Sequence, residues 1–468
     1  MKMQFLPRVA LAAALLPLTF TGHAAVSAEE AGKLGQSLTP LGAEKAGNAD
    51  GSIPAWDGGL TAIPEAAKSA GYKGDKGDRF VDPFPEDKPE FTITNSNLDQ
   101  HKDKLTPGQL GLFATFDAYK MPVYKTRRTA ANDAFIYKAT AENATRAELV
   151  ADGEGIAGAA VGIPFPIPKN GREVIWNHKV RYRGVSIRRW NNQFPVTTGG
   201  AFNAVKLRED VYFPYSDPDT TPAEVEENNV ISYFLQIIRA PERLAGQILL
   251  VHDTANQVKQ SRLAWQYNPG QRRVRRAPNV AYDNPGTASD GLRTNDQLDM
   301  FNGAMDRYTW KLQGKQEIYV PYNSYRLHSG ELSYDDIFKA GHLNQDLTRY
   351  ELHRVWVVDA YVKEGTSHIY KRRTFYVDED SWQILLVDCY DQRDELWRVQ
   401  EAHPIMAYDP NIYVTQFSAG ETVYDLQSRR YLGMAFNNDG DEIYSIDDEM
   451  DNPSRYFNPR NIQTFAFK

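Results

Sequence analysis

The stretch from Tyr350 to Ala402, YELHRVWVVDAYVKEGTSHIYKRRTFYVDEDSWQILLVDCYDQRDELWRVQEA, decides the fold. Runs of β-branched and aromatic residues predict strands over 351–362, 367–377, 382–390 and 395–402. Lys363-Glu364-Gly365, Asp378-Glu379-Asp380 and Asp391-Gln392-Arg393-Asp394 are short and polar, and read as turns. Four strands joined this way make an antiparallel meander. In the third, Trp382, Ile384 and Leu386 alternate with Gln383, Leu385 and Val387, and both rows are largely apolar. A strand of that kind is covered on both faces and belongs in the middle of a sheet.

Working outward, strands continue upstream. Val174-Ile175-Trp176 leads into an alternating run from His178 to Gly184, followed by 211–213, 232–237 and 247–253. Residues 262–276 predict a hairpin, because Tyr267-Asn268-Pro269-Gly270-Gln271 holds a proline that fixes one dihedral and a glycine that supplies a positive one. The whole reads as a mainly β protein of the α+β type, with its body over 171–430. Residues 25–170 are rich in Gly, Pro, Asp and Lys with weak apolar periodicity, and read as a loop-rich arm packed on that body. Helices are expected there at 27–34, where Ser27 and Glu30 form a capping-box pattern, at 107–119 and at 142–152. Residues 431–468 read as a polar, acidic tail, preceded by a strand near 422–426.

Between hairpin and meander lies a long insertion, 278–308. It opens as a polar loop, Tyr282 to Gly291, and then turns helix-like. Asn295 or Asp296 can cap a helix whose one face carries Leu298, Phe301, Ala304 and Met305. Such a helix either plugs the concave side of a curved sheet or packs as ordinary core. A loop this long inside a compact body points to function.

The N-terminus carries an export signal. Lys2 and Arg8 precede an apolar run, 9–20, and Gly22-His23-Ala24 is a small-x-Ala cleavage site. The run is too short to span a bilayer, which takes about 20 residues. No later segment is long and apolar enough to do so, and no cysteine follows the run to take a lipid anchor. The chain is therefore expected in the periplasm, cleaved near Ala24. Its 468 residues carry a net charge of −8, which disfavours nonspecific nucleic-acid binding. Tyrosine (26) and tryptophan (8) are abundant enough to suit broad aromatic sheet faces. The single cysteine, Cys389, excludes an internal disulfide and reads as a small apolar strand residue.

No nucleophile elbow, His-Glu-x-x-His, Cys-x-x-Cys or phosphate-binding glycine loop is present, so no catalysis and no cofactor is expected. His353 and His368 lie on strands expected to be neighbours, where a metal would still need a third ligand. The acidic clusters 438–442 and 447–451 lack the spacing of a calcium loop. Arg272-Arg273-Val274-Arg275-Arg276 reads as one strand of the hairpin, or as a contact for anionic head groups.

Several motifs together resemble one large family of proteobacterial exported proteins. They are Leu38-Thr39-Pro40-Leu41-Gly42-Ala43-Glu44-Lys45-Ala46-Gly47-Asn48 with Ile53-Pro54-Ala55-Trp56-Asp57-Gly58-Gly59, and the hairpin turn with its arginines through Ala277-Pro278. Thr294-Asn295-Asp296-Gln297, Pro321-Tyr322-Asn323-Ser324-Tyr325 and the run Arg373 to Trp382 complete the set. The family is named only as a domain of unknown function, is grouped with the LolA/LolB-like lipoprotein carriers, and is often labelled outer-membrane lipoprotein-sorting. The resemblance implies a large curved antiparallel sheet or half-barrel with plugging helices. It also implies partners: an inner-membrane exporter of the resistance-nodulation-division type and an outer-membrane protein. The chain is more than twice as long as a simple carrier of that type.

The first functional expectation is a periplasmic carrier for a lipid or other hydrophobic ligand, with Leu298, Phe301, Met305, Trp310, Trp356 and Trp382 lining its site. The second is a non-catalytic envelope assembly protein without cargo. An empty apolar cavity favours the first and a filled concave face the second.

Overall fold

The computed structural model describes residues 25–75, 78–277, 280–415, 420–440, 444–445, 450 and 452–467. The signal-peptide segment, 1–24, lies outside the described residues, and so does most of the acidic stretch 441–451. No described helix is long and apolar enough to cross a membrane.

The meander forms as its sequence predicts. Tyr350–Val362, Arg372–Asp378, Ile384–Tyr390 and Leu396–Ala402 pair in order, all antiparallel. They form the centre of a ten-stranded sheet that continues through Glu421–Asp425, Arg430–Phe436 and Asn192–Val196 on one side. On the other side Tyr308–Pro321 pairs along the length of Tyr350–Val362, while Met121–Val123 and Phe91–Ile93 join at the start of that strand. Every residue of Ile384–Tyr390 is buried, as its two apolar rows require. Ile384, Val387 and Cys389 face one core, and Leu385 and Leu386 face another. Trp382 is not in the strand: it sits at φ 60° in the turn before it and donates from its indole to the Leu41 carbonyl at 2.9 Å.

A second sheet has seven strands, in the order Arg273–Arg276, Leu263–Asn268, Ile248–Asp253, Ser232–Ala240, Lys206–Tyr212, Ser186–Trp190 and Tyr444–Ser445. The chain passes between the two sheets at Asn191, which separates Ser186–Trp190 from Asn192–Val196. The strand order of each sheet is open. The architecture is thus α+β with two large, mostly antiparallel sheets. The predicted hairpin is present, with Tyr267 opposite Val274. Arg430–Phe436 runs through residue 431, so the boundary read between body and tail falls inside a strand. The region 25–170 supplies two strands of the larger sheet and the helices Pro107–Thr115 and Ala134–Ala144.

Three helix readings meet their test. Ala28–Ala31 and Pro107–Thr115 both start on complete capping boxes, Ser27 with Glu30 and Thr106 with Gln109. The helix expected at 142–152 instead ends at Ala144, and Glu148–Val150 is a strand. The strand expected from Val174 is a helix, Gly171–Val180, started by Asn170 accepting from the Glu173 amide. It is buried on nearly every side, so no amphipathic period marks it, and Val174-Ile175-Trp176 mimics a buried strand. The predicted plug helix is also absent. Thr294 caps only a three-residue 3₁₀ turn, Asn295–Gln297. Asp299 (φ 53°) and Met300 (φ 63°) then enter the left-handed region, which ends any right-handed helix.

Candidate ligand-binding cavity

One face of the seven-stranded sheet is closed by the C-terminal segment: Leu235, Ile237, Ile248 and Leu250 pack against Tyr456, Phe457, Ile462 and Phe465. The alternate residues of the same strands point the other way. There the register aligns Val211 with Phe234 and Phe234 with Val251, and one step along aligns Gln236 with Leu249. Phe234, Leu249 and Val251 are only half-buried, although they lie in interior strands of the sheet. They form the floor of a cavity of about 90 Å³. Its roof is the insertion, through Thr287, Arg293, Leu298, Asp299, Phe301 and Asn302. A second space of about 440 Å³ adjoins it, with Arg262 and Val280 lining both. Its lining is mixed: Ala264, Ala277, Ala281 and Ala304 beside exposed Val258, with Glu154, Arg276 and Asp306 among the polar residues.

The inner cavity is ringed by cations. Lys179 lies in the last turn of the Gly171–Val180 helix, and Arg181 and Arg183 follow it. Both arginines cap that helix, Arg181 donating to the His178 carbonyl (2.7 Å) and Arg183 to that of Lys179 (2.8 Å). They also share one carboxylate, Asp299. Burial pushes the Asp299 carboxyl up, but Arg181 and Arg183 outweigh it and hold the group well below the usual carboxylate range. Arg189 pairs with Glu209 at 2.8 Å. Arg262 pairs with Asp253 at 2.9 Å and also donates to the Val280 and Asn302 carbonyls, tying the roof to the sheet.

Two cations are left without a carboxylate among the described residues. Arg293 is buried and donates to the carbonyls of Thr294 (3.2 Å) and Thr287 (3.4 Å), and to the Gln193 side-chain oxygen (3.3 Å) once that amide is turned to satisfy its neighbours. Its Nε has no acceptor. Burial pushes its guanidinium down to about 10, and the more distant Glu421, Glu209 and Asp296 offset only part of that. Lys179 donates from Nζ to the Gly303 carbonyl at 2.9 Å and lies 4.8 Å from the Trp176 ring centre. Burial pushes its amine down to about 8.

Of the six residues expected to line a site, Leu298 and Phe301 reach this cavity. Phe301, Met305, Trp310 and Trp382 belong to the core between the larger sheet and the Gly171–Val180 helix, and Trp356 packs at its edge. Phe301 meets Trp310 at 5.4 Å, and Trp356 stacks on Trp382 at 6.3 Å. Met305, Trp310, Trp356 and Trp382 line neither space. The cationic ring and the floor were not singled out in the sequence. The available signal was the alternation Lys179-x-Arg181-x-Arg183, read as a strand, and the half-apolar row Phe234-x-Gln236.

His353 and His368 do not meet. The register sets Val355 opposite Asp378 and Tyr361 opposite Arg372, which puts the two rings near opposite ends of the paired strands. His368 donates toward Asp296 at 3.0 Å. His353 instead lies with Asp378 and Asp380, whose ligating atoms fall within 4.8 Å of one another. Asp380 already receives both Nε (2.9 Å) and Nη2 (2.7 Å) of Arg128, so a metal ion there would sit against a guanidinium. Burial and neighbouring Asp380 push the Asp378 carboxyl up to about 7. The cluster reads as an internal ion network. Cys389 is buried and its thiol is pushed up to about 12, which suits the apolar role expected of it.

These features define an α+β protein of two large sheets with a cation-ringed cavity under an inserted loop. The chain belongs to the family described as protein of unknown function (DUF1329), whose model matches residues 92–463. An uncharacterized protein of Pseudomonas aeruginosa is 54% identical over 424 residues, covering 90% of each chain. Among solved structures, a candidate outer membrane lipoprotein-sorting protein domain from Vibrio parahaemolyticus aligns with 62% of this chain and 97% of its own, at 12% identity and a TM-score of 0.41. A LolA superfamily protein from Nitrosomonas europaea aligns with 60% of this chain and 97% of its own, at 11% identity and a TM-score of 0.35. Likenesses this partial carry nothing about function, which has to be argued from the cavity.

Proposed function

We propose that this protein is a periplasmic binding or carrier protein for a lipid-like ligand, held between the seven-stranded sheet and the loop above it. The observation that supports this is the floor. Phe234, Leu249 and Val251 are left half-buried on interior strands, beneath half-buried Leu298. A binding site of this kind gains roughly 0.8 kcal/mol for each methylene it takes from water. The outer space, at about 440 Å³, has the size of a small-molecule site. The carrier works in the aqueous space between two membranes, in exchange with an inner-membrane exporter and an outer-membrane protein.

The test has two parts. Protein purified from its native periplasm is expected to carry lipid that native mass spectrometry detects. After delipidation it is expected to bind a fluorescent fatty-acid probe, and Phe234→Asp is expected to abolish that binding while the fold melts normally. Protein that neither retains lipid nor binds the probe would sink the reading.

A further inference from the structure

The floor of the cavity asks for an apolar ligand, but its ring is built for charge. Four of the ring's six cations are paired internally: Arg181 and Arg183 share Asp299, Arg189 holds Glu209, and Arg262 holds Asp253. Arg293 and Lys179 are buried, line the same cavity, and meet only uncharged acceptors within hydrogen-bond range. The Nε atoms of Arg181, Arg183 and Arg293 and the Gln236 Oε1 atom are buried with no partner at all. A buried charge with no carboxylate in hydrogen-bond range is costly, because the more distant carboxylates offset only part of its desolvation. A purely apolar ligand would leave that cost in place. An anion would remove it and accept the orphaned Arg293 N–H at the same time.

We infer that the ligand is an anionic amphiphile, whose carboxylate or phosphate is received by Arg293 and Lys179 while its chain lies on Phe234, Leu249 and Val251 and continues past Arg262 into the outer space. The volumes agree with that division. The inner cavity, at about 90 Å³, takes a head group and a few methylenes but not a whole acyl chain. The outer space, at about 440 Å³, is where the remainder fits. This inference rests on the lipid-binding reading above and names the chemistry of its head group.

The experiment uses the full mature chain, delipidated, and isothermal titration with four probes: decanoate, decyl phosphate, 1-decanol and inorganic phosphate. Both anionic amphiphiles are expected to bind at least about tenfold tighter than 1-decanol, one ion pair's worth of affinity. Inorganic phosphate is expected to bind far more weakly than decyl phosphate. Arg293→Met is expected to bring decanoate down to the affinity of 1-decanol, leaving 1-decanol itself unchanged, whereas Arg293→Lys keeps a preference for the anion. If Arg293→Met does not fold, Lys179→Met provides the same comparison. Equal affinities for decanoate and 1-decanol would overturn the inference and leave the lipid-binding reading standing. Inorganic phosphate binding as tightly as decyl phosphate would assign the cavity to a free anion and overturn it too. Failure of every alkyl probe would overturn both.

Discussion

Raising the pH from 7 to 9 is expected to weaken decanoate binding about tenfold, because Lys179 loses its proton in that interval. The amine is pushed down to about 8 by burial. Asp253 and Glu154 raise it and Arg262 and Arg183 lower it, and the Gly303 carbonyl and the Trp176 face complete its surroundings. An anion placed beside Lys179 stabilises the ammonium, so the bound form holds its proton to higher pH than the free form. Proton and ligand therefore bind together, and affinity falls between the two titration points. With the free amine at about 8, the fraction protonated drops from about nine-tenths at pH 7 to about one-tenth at pH 9. Decanoate stays ionised throughout, and 1-decanol has no charge to feel the change, so its affinity stays level. Titration calorimetry at constant ionic strength reads the effect directly. Repeating it at pH 8 in buffers of different ionisation enthalpy is expected to show uptake of about half a proton on each binding event. Lys179→Met is expected to flatten the decanoate profile. A wild-type decanoate profile as flat as that of 1-decanol would refute the reasoning.

Two further outcomes concern the body that carries the cavity. Burial pushes the Glu401 carboxyl up to about 8, where it accepts from Tyr350 and Tyr119. The native state therefore holds a proton that the unfolded chain releases above its ordinary value, so stability is lost as pH rises through the interval up to about 8, by as much as about 1.4 kcal/mol per unit. Glu401→Gln keeps an acceptor for the tyrosines and is expected to raise the urea midpoint at pH 8.5 relative to wild type, with little change at pH 5. Arg128→Met leaves Asp380 buried without its two-pronged partner and frees the Glu44 and Pro54 carbonyls that Arg128 binds. It is expected to cost about 3–5 kcal/mol in urea unfolding. It should also expose the chain near residues 44–54 to limited proteolysis.

What the sequence made legible was what depends on near neighbours. The meander and the hairpin follow from period-two runs and from turns such as Asn268-Pro269-Gly270, each complete within a few dozen residues. The Ser27 and Thr106 caps are equally local. The Gly171–Val180 helix was misread because burial on all sides removes the polar face that reveals a helix, leaving β-branched residues to speak alone. The plug was misread because Leu298, Phe301 and Met305 have helical spacing, while the left-handed turn at Asp299 and Met300 is imposed from elsewhere in the chain. Arg181 and Arg183 lie more than a hundred residues away and hold the Asp299 carboxylate in place. The division of the strands into two sheets was hidden for a related reason. It turns on Asn191, the single residue between a strand of one sheet and a strand of the other.

The same long-range contact bears on how the cavity works. A plug helix would ride on its apolar face alone, and could lift when a ligand displaced it. The loop found here is tied at two neighbouring points, by Asp299 to Arg181 and Arg183 and by the Asn302 carbonyl to Arg262. Those arginines are already committed: two cap a helix and one holds Asp253. A ligand that competed for them would have to dismantle the roof to enter. Arg293 and Lys179 stand apart because neither holds a carboxylate: their bonds go to the carbonyls of Thr287, Thr294 and Gly303 and to the Gln193 side chain. An anion can draw on their charge while those carbonyl bonds stay in place. The ring thus separates cations committed to carboxylates from cations whose charge a ligand can use. That separation explains how a site lined by so many arginines can keep its roof in place and still favour an anion.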